Sequence, residues 1–396
     1  MIGPAMMGMV ENNLYLDMCN ISRCKNQETL CGDFHRVFGN RERRIVVISD
    51  GLGSGVRANI LATLTTTILG TMLDRKMPLE ECIDTVASTL PVSKQHGLAY
   101  ATFTAVEIEK NVVFIMNYDN PPVLLFRNGK ATRYPYTVRF VGDKEIRESR
   151  LKVQEGDVLV MMTDGVTHSG IGKHNDNGWA VAEIQKYLEE QDVLNLSASE
   201  IGALLQKHCL ELCDGVNDDD TTTTVLKFRS HTNLNMLIGP PKNKRDDRQV
   251  LNLFFRKEGI HVVSGGNTSK MVSRYLGKPV EVQMGSGNAE VPDMATIEGV
   301  DMVTEGVITL ERVCDLCEKI ITNPMEILWL REETDPASVL ALLLLQESTD
   351  VNILFGMAAN DAHDDIGIGF EKKLQLIRKL EELLSSVGKQ VKITYC

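Results

Sequence analysis

Two apolar strand patterns that each end on an aspartate constrain this chain most strongly. Residues 44–49 and 157–163 have the composition of buried strands, and Asp50 and Asp164 stand at their ends. Two more acidic segments share this half of the chain: Asp33 in a Cys-Gly-Asp triplet and an aspartate run at 218–220. A carboxylate beside an apolar strand is costly unless its charge is compensated. Several such strand ends in one place suit a hard cation, Mg²⁺ or Mn²⁺ rather than Zn²⁺.

Composition narrows the class of protein. A length of 396 residues predicts two domains. A net charge of −12 argues against a general nucleic-acid binder, which needs a basic surface. Residues 1–10 lack the features of a signal peptide, and the most apolar run, 339–345, is shorter than the ~20 residues of a membrane span. The nine cysteines follow no disulfide framework. We therefore expect a cytoplasmic protein with reduced thiols and neither nucleic acid nor membrane as a partner.

Hydrophobic periodicity predicts a sheet-rich first part, residues 1–230. We expect strands at 13–19, 34–39, 44–49, 99–108, 112–118, 122–126 and 221–228, the last closing the sheet, and helices at 56–75, 78–90, 178–190 and 197–213. Ser197 and Glu200 have the spacing of a capping box at the start of the last helix. This order fits two antiparallel sheets enclosed by helices.

The pattern changes near residues 230–233 to strands that alternate with helices. Strands are expected at 234–238, 260–264, 300–303, 351–355 and 390–395. Such alternation predicts a second domain, 233–396, of α/β class with a mostly parallel sheet. Its loops at 239–242, 265–268 and 304–306 follow strands and lie on one sheet edge, where an anionic small ligand can bind. Tight turns that serve packing alone are an equally good interpretation. Cys314 and Cys317 lie in a predicted helix and read as core thiols.

The four acidic segments, in this order, resemble the metal-dependent protein phosphatase (PPM) family. The most similar branch contains the bacterial serine/threonine phosphatases of the stage II sporulation protein E type. A Ser-Asp-Gly-Leu-Gly-Ser-Gly segment at 49–55, a Pro-Pro-x-Leu hairpin at 118–129 and a turn at 153–157 agree with it, so the resemblance covers residues 12–229. It implies an α-β-β-α sandwich for this part of the chain, ahead of the smaller α/β domain that the alternation of strands and helices predicts. It also implies hydrolysis of phosphoserine or phosphothreonine by attack of a metal-bridging water.

The resemblance implies two Mn²⁺ or Mg²⁺ ions and a specific set of ligands. The implied ligands are Asp33, Asp50, the backbone carbonyl of Gly51, Asp164 and Asp219. Asp50 would bridge the ions, and Asp50 and Asp164 are the implied catalytic residues. The family pattern Asp-Asp-x-Thr can be aligned in two ways on the run at 218–220, so Asp218 is the alternative to Asp219.

Several points stay open on the sequence alone. Eukaryotic members of the wider family carry a phosphate-gripping arginine near the first motif, and here neither Arg23 nor Lys25 is assigned that role. His168 and His174 read as surface residues. The implied partner is a phosphoprotein, in this branch an anti-sigma-factor antagonist, and a homodimer is left open. The rival hypotheses are a regulatory binding module with a degenerate or structural metal site, and a ligand-sensing protein that acts through residues 233–396.

Overall fold

The computed structural model describes residues 14–89, 101–174, 176–358 and 368–396, the side chains of 368 and 369 excepted. These residues form two compact units, Met1–Ser230 and His231–Cys396. The expectations for residues 1–10 and for the element ends at 90 and 99 lie outside the described residues.

The described part of the first unit contains eleven strands and five helices. The strands are β1 (Tyr15–Arg23), β2 (Asp33–Gly39), β3 (Arg43–Asp50), β4 (Phe103–Glu109), β5 (Val112–Tyr118), β6 (Leu124–Arg127), β7 (Lys130–Thr132), β8 (Thr137–Val141), β9 (Lys144–Lys152), β10 (Val158–Met162) and β11 (Thr221–Arg229). The helices are α1 (Gly55–Asp74), α2 (Leu79–Thr89), α3 (Asp164–Thr167), α4 (Val181–Glu190) and α5 (Ala198–Leu212).

The strands form two antiparallel sheets. One has the order β2-β3-β4-β5-β9-β8 and the other the order β1-β11-β10-β6-β7. Because side chains alternate between the faces of a strand, β3 serves two cores. Ile45 and Val47 pack with α1 and α2, whereas Val46 and Ile48 pack with residues of β10 and β11. With α5 against β1 and β11, the layers are helix, sheet, sheet, helix.

Helix α1 has the length and apolar composition of a membrane-crossing helix. Its buried residues include Leu69 and Leu73, which pack in the core against the six-stranded sheet. A core helix of a sandwich passes the same test of length and composition. The second apolar run, 339–345, is also packed inside the protein, in the helix Pro336–Leu342 and the π-helical turn Leu343–Glu347.

Most predicted elements of the first unit are confirmed, and two points are corrected. Strand β11 lies inside its sheet, hydrogen-bonded to both β1 and β10, so it does not close the sheet at an edge. The strands β7, β8 and β9 were not predicted. Charged residues are frequent in β9, and all five residues of β8 except Val141 are exposed, so neither has the apolar alternation of a core strand. The capping box of α5 is confirmed by the hydrogen bonds between Ser197 and Glu200.

The second unit is a mixed α/β structure. Its strands are β12 (Asn233–Ile238), β13 (Ile260–Ser264), β14 (Glu281–Val282), β15 (Ala295–Ile297), β16 (Val300–Thr304), β17 (Asp350–Phe355) and β18 (Gln390–Tyr395). Its helices are α6 (Asp247–Phe255), α7 (Gly266–Leu276), α8 (Val307–Thr322), α9 (Ile327–Leu330), α10 (Pro336–Leu342) and α11 (Ile368–Ser386). The sheet order is β14-β15-β16-β13-β12-β17-β18.

The sheet of the second unit is parallel across β16, β13, β12, β17 and β18, as the alternation of strands and helices predicts. The short strands β14 and β15 were not predicted, and they add an antiparallel edge. Cys314 and Cys317 are buried in α8, which confirms them as core thiols.

Candidate metal centre

The acidic residues of the first unit come from strand ends of both sheets. Asp33 begins β2 and Asp50 ends β3, and the two residues are paired across this antiparallel ladder. Asp164 begins α3, two residues after β10, and Asp219 and Asp220 directly precede β11. Because β10 and β11 are hydrogen-bonded neighbours, these ends lie side by side. The sequence separates the two groups by more than a hundred residues, and the sandwich brings them together.

The strand ends surround a cavity of about 330 Å³. Its lining residues are Asp50, Gly51, Leu52, Gly53, Thr102, Asp119, Asp164, Asp219 and Asp220. Asp50, Gly51, Asp164 and Asp219 thus share one cavity, as a common metal site requires.

Asp33 is buried beside this cavity, with 2% of its surface exposed. Its Oδ2 accepts a hydrogen bond from the Thr163 hydroxyl at 2.8 Å, and that hydroxyl accepts the Thr222 N–H at 2.9 Å. Thr163 therefore joins β2 of one sheet to β11 of the other. The second oxygen, Oδ1, is buried without a hydrogen-bond partner among the described residues.

Crowded carboxylates raise one another's pKa. Burial, together with the charges of Asp220 and Asp164, raises the pKa of Asp33 to about 7. Burial raises the pKa of Asp50 to about 9, with Asp33 and Asp164 as the nearest negative charges. The pKa of Asp219 is also raised, chiefly by burial. Without a cation, this centre therefore retains protons near neutral pH.

The donor set fits a hard divalent cation. Asp33 Oδ1 and Asp220 Oδ2 are buried oxygens without partners among the described residues, and an unpaired buried carboxylate oxygen is costly. Among the described residues, two basic groups lie within 4 Å of these carboxylates: Lys25 Nζ is 3.8 Å from Asp219 Oδ1, and His168 Nδ1 is 3.6 Å from Asp164 Oδ2. Carboxylate oxygens in this number are ligands for Mg²⁺ or Mn²⁺.

Two glycines allow the backbone segments of the centre to approach closely. A Cβ on Gly51 would lie 2.0 Å from the carbonyl oxygen of Ala58, and a Cβ on Gly165 would lie 2.0 Å from that of Asp220. Neither position has room for any other residue. Asp50 directly precedes Gly51, and Asp164 directly precedes Gly165. Close packing of the backbone at the two glycines therefore fixes the positions of both aspartates.

The run at 218–220 divides between two environments. Asp219 lines both the acidic cavity and a neighbouring cavity of about 280 Å³, whereas Asp218 lines the neighbouring cavity and not the acidic one, and forms an ion pair with Lys173 at 2.6 Å. This placement favours Asp219 over Asp218 as the ligand, which stays a prediction. Asp220, which the sequence did not single out, is 4% exposed and also lines the cavity.

Other residues near the centre were missed or left unassigned. Lys25, rather than Arg23, has its cationic group within 4 Å of a site carboxylate. His168 was expected to be a surface residue; it is exposed, but its ring lies within 4.8 Å of oxygens of Asp164 and Asp219. Thr102 and Asp119 also line the cavity. Asp119 directly follows β5. The same sequence pattern that indicated Asp50 and Asp164, an aspartate at the end of a strand, would therefore have indicated Asp119.

Comparison with known proteins finds matches to the first unit. The profile of the stage II sporulation protein E family matches residues 40–229. The chain is 24% identical over 192 residues to stage II sporulation protein E of Bacillus subtilis (strain 168). The aligned segment covers 47% of this chain and 22% of the relative. The match therefore spans about a fifth of that relative's length.

Two solved structures are similar in overall shape. One is the PP2C phosphatase domain with a fragment of the regulatory domain of SpoIIE from Bacillus subtilis, with a TM-score of 0.46 and 18% identity over 55% of this chain and 64% of that chain. The other is the Mycobacterium tuberculosis serine/threonine phosphatase PstP/Ppp, with a TM-score of 0.40 and 16% identity over 55% of this chain and 99% of that chain.

The family match lies within the first unit: residues 40–229 form a domain of the stage II sporulation protein E family.

Proposed function

We propose that the first unit is a Mn²⁺- or Mg²⁺-dependent protein serine/threonine phosphatase. The observation that carries this proposal is the meeting of Asp50, Asp164 and Asp219 at one cavity, from the ends of strands in both sheets. The buried oxygens of Asp33 and Asp220 without partners support it, because they supply negative charge that the described side chains leave uncompensated.

In the proposed mechanism, some side chains bind the cations and others position the residues that do so. When bound, a pair of divalent cations supplies Lewis acidity to a water nucleophile and neutralises phosphate charge. Asp50, Asp164 and Asp219 would hold the cations, with the Gly51 carbonyl as a further oxygen donor. Asp33, fixed by the Thr163 hydroxyl and paired with Asp50 across the β2–β3 ladder, would be a further ligand. The Thr102 hydroxyl accepts the Asp50 N–H at 3.3 Å and donates to Asn120 Oδ1, so it orients the strand end.

The direct test is hydrolysis of p-nitrophenyl phosphate by chelator-treated protein with and without added Mn²⁺. We expect turnover only with Mn²⁺. Asp164→Asn should lower kcat/KM at least about 100-fold, because even the loss of an outer-sphere partner of a metal costs about 10–100-fold. Asp143→Asn is the matched control, since Asp143 lies in the β8–β9 turn with its side chain 87% exposed.

Calorimetric titration with Mn²⁺ separates the alternatives. Manganese binding without turnover would favour a regulatory binding module with a structural metal site. A wild-type protein that binds no Mn²⁺ would end the phosphatase proposal. Equal losses in Asp164→Asn and Asp143→Asn would show that the effect is not specific to the site.

The substrate and setting follow as proposals from the same family match. We expect a phosphoserine or phosphothreonine protein, of which an anti-sigma-factor antagonist is the candidate that the resemblance implies, and a cytoplasmic location. Dephosphorylation of a phosphoserine peptide in preference to a phosphotyrosine peptide of the same sequence would support the substrate class. The reverse preference would contradict it.

The second unit is proposed to be a regulatory domain that binds an anionic small ligand. Its loops after β12, β13 and β16 are joined: the Gly239 N–H donates to Thr268 Oγ1 at 3.0 Å, and the Gly265 N–H donates to the Thr304 carbonyl at 3.0 Å. Helix α7 begins at Gly266, where a Cβ would meet no other atom within 4 Å. Gly266→Asp should therefore fold but weaken any stabilisation by nucleotides or sugar phosphates in thermal melts. The absence of such stabilisation in wild type would count against this role.

A further inference from the structure

A group of sulfur and oxygen donors lies next to the carboxylate centre. Cys24 Sγ, Cys31 Sγ and a carboxylate oxygen of Asp220 all lie within 4.8 Å of one another. Cys24 directly follows β1, Cys31 lies two residues before β2, and Asp220 directly precedes β11. Three strand ends therefore bring together residues from positions up to 196 apart in the sequence.

Asp220 provides a second, independent indication of a ligand. Its side chain is 4% exposed, and Oδ1 accepts the Lys25 N–H at 2.9 Å. Oδ2 is buried without a partner among the described residues. It lies against the residue that follows Cys31, since a Cβ on Gly32 would be 2.7 Å from Oδ2. The unpaired oxygen is thus directed at the segment that carries one of the two thiols.

The three donors favour a cation over a disulfide. All three become negative when deprotonated, so they repel one another until a positive charge lies between them. A disulfide would join the two sulfurs but would leave Asp220 Oδ2 unpaired, whereas a cation satisfies all three donors. All nine cysteines of the chain are free thiols, and Cys24 and Cys31 are partly exposed, so solvent can deliver an ion.

The donor type selects zinc. Thiolates are soft ligands that Mg²⁺ and Mn²⁺ bind poorly, whereas Zn²⁺ takes sulfur and carboxylate oxygen together. Two sulfurs at the usual Zn–S distance of about 2.3 Å in a tetrahedral site are about 3.8 Å apart, and the donor atoms here lie within 4.8 Å of one another, close enough to share one ion. We propose that Cys24, Cys31 and Asp220 bind one zinc ion beside the carboxylate centre.

Shared use of Asp220 would couple the two sites, a consequence that rests on the proposed function. Asp220 also lines the acidic cavity, and its neighbour Asp219 is an expected ligand of the harder cations. Zinc that holds Asp220 would draw negative charge away from that cavity. Zinc at saturating concentration is therefore expected to weaken Mn²⁺ binding in wild type and to do so less when both thiols are replaced.

Cobalt absorption in the full-length, reduced protein tests the zinc site. Co²⁺ bound by thiolates gives strong near-ultraviolet charge-transfer absorption, and Co²⁺ bound by carboxylates alone does not. We expect this band in wild type, its displacement by Zn²⁺, and its loss in Cys24→Ser and in Cys31→Ser. The affinity for Zn²⁺, measured by competition with a chromophoric chelator, should fall by more than the about 10–100-fold typical of an outer-sphere change. Cys396→Ser is the matched control, because Cys396 is a partly buried thiol of the second unit.

Three results would overturn the zinc site. They are the absence of a thiolate band in reduced wild type, a band that survives in both serine variants, and a Cys24–Cys31 disulfide in protein whose reduced form binds no Co²⁺. Circular-dichroism melts of each variant identify any loss of folding. Because the two cysteines are replaced separately, the test remains possible if one of the two variants fails to fold. Mn²⁺-dependent hydrolysis is measured in parallel, and its absence in wild type would contradict the phosphatase proposal while leaving the cobalt result intact.

Discussion

At the scale of single residues, Asp33 and Asp50 illustrate how position determines chemistry. Both are ordinary aspartates in the sequence, but the β2–β3 ladder pairs them, and burial raises the pKa of both well above the usual value of about 4. The same burial that penalises their charge makes them good ligands once a cation arrives. Their protonation should therefore appear as a pH dependence of stability and of metal binding.

The first prediction concerns the stability of metal-free protein between pH 5.5 and pH 8. A folded-state pKa near 7 for Asp33 and 9 for Asp50 means that the folded protein binds more protons than the unfolded chain over this range. Stability contributed by these groups is complete below the unfolded pKa of about 4 and is lost as pH rises through the folded values. Differential scanning calorimetry of chelator-treated protein should show a lower Tm at pH 8 than at pH 5.5.

A variant and a metal isolate the contribution of these carboxylates. Asp33→Asn should reduce the loss of Tm between the two pH values, and Asp143→Asn should leave it as in wild type. Mn²⁺ should raise Tm more at pH 8 than at pH 5.5, because binding must displace fewer protons there. A change in Tm between the two pH values that is the same in wild type and in Asp33→Asn would contradict the raised pKa of Asp33.

At the scale of elements, α1 packs closely against β2. Gly70 lies within α1, four residues before its last residue, and glycine inside a helix is unfavourable by roughly 1 kcal/mol relative to alanine. The ring of Phe38, near the end of β2, occupies the space: a Cβ on Gly70 would lie 2.0 Å from Phe38 Cε2. Close approach of helix and strand therefore outweighs helix propensity at this position.

The second prediction is that Gly70→Ala destabilises the protein. Overpacking against Phe38 should cost about 1–3 kcal/mol, more than the gain from helix propensity. The free energy of unfolding in urea measures this cost. Gly202→Ala in α5 is the matched control, because its Cβ would meet the flexible end of Ile21 at 3.3 Å and Cys19 Sγ at 3.7 Å, with no closer neighbour. Phe38→Leu combined with Gly70→Ala should recover part of the loss, and a stabilising Gly70→Ala would contradict the packing argument.

At the scale of the whole molecule, the chain divides into two compact units at residues 230 and 231. The first unit ends with β11, an inner strand that is hydrogen-bonded to β1 from the start of the chain and to β10. Its burial is almost complete, with eight of nine residues buried. Residues at the far end of the unit are thus needed for its core and, through Asp219 and Asp220, for its metal centre.

The third prediction follows from that division. A fragment of residues 1–230 should fold with a single cooperative urea transition and bind Mn²⁺, because it contains both sheets and all the expected ligands. A fragment of residues 1–218 should fail in both respects, since it lacks the inner strand and leaves β1 and β10 with unpaired edges. Circular dichroism and calorimetric titration compare the two. Equal folding of both fragments would show that β11 is dispensable, and unfolding of both would show that the units are interdependent.

The quality of the sequence-based predictions followed the strength of the local pattern. The strands β13 and β18 were predicted to the residue, because each combines a short β-rich run with glycine at its boundary. The strands β8, at the edge of its sheet, and β9, next to it, were missed because exposed charged side chains hide the apolar alternation. The position of β11 inside its sheet was also missed, since strand order depends on contacts between distant segments.

The sequence by itself determined the order of strands and helices, the change of architecture near residue 230, and the aspartates that follow apolar strands. These depend on hydrophobic periodicity and on the chemistry of residues next to one another. Only the tertiary structure decided that Asp219 rather than Asp218 faces the cavity, that Asp220 has an unpaired buried oxygen, and that Cys24 and Cys31 lie beside it. The physical reason is that burial and charge act through space, and the sandwich brings together strand ends that the sequence holds up to 196 residues apart.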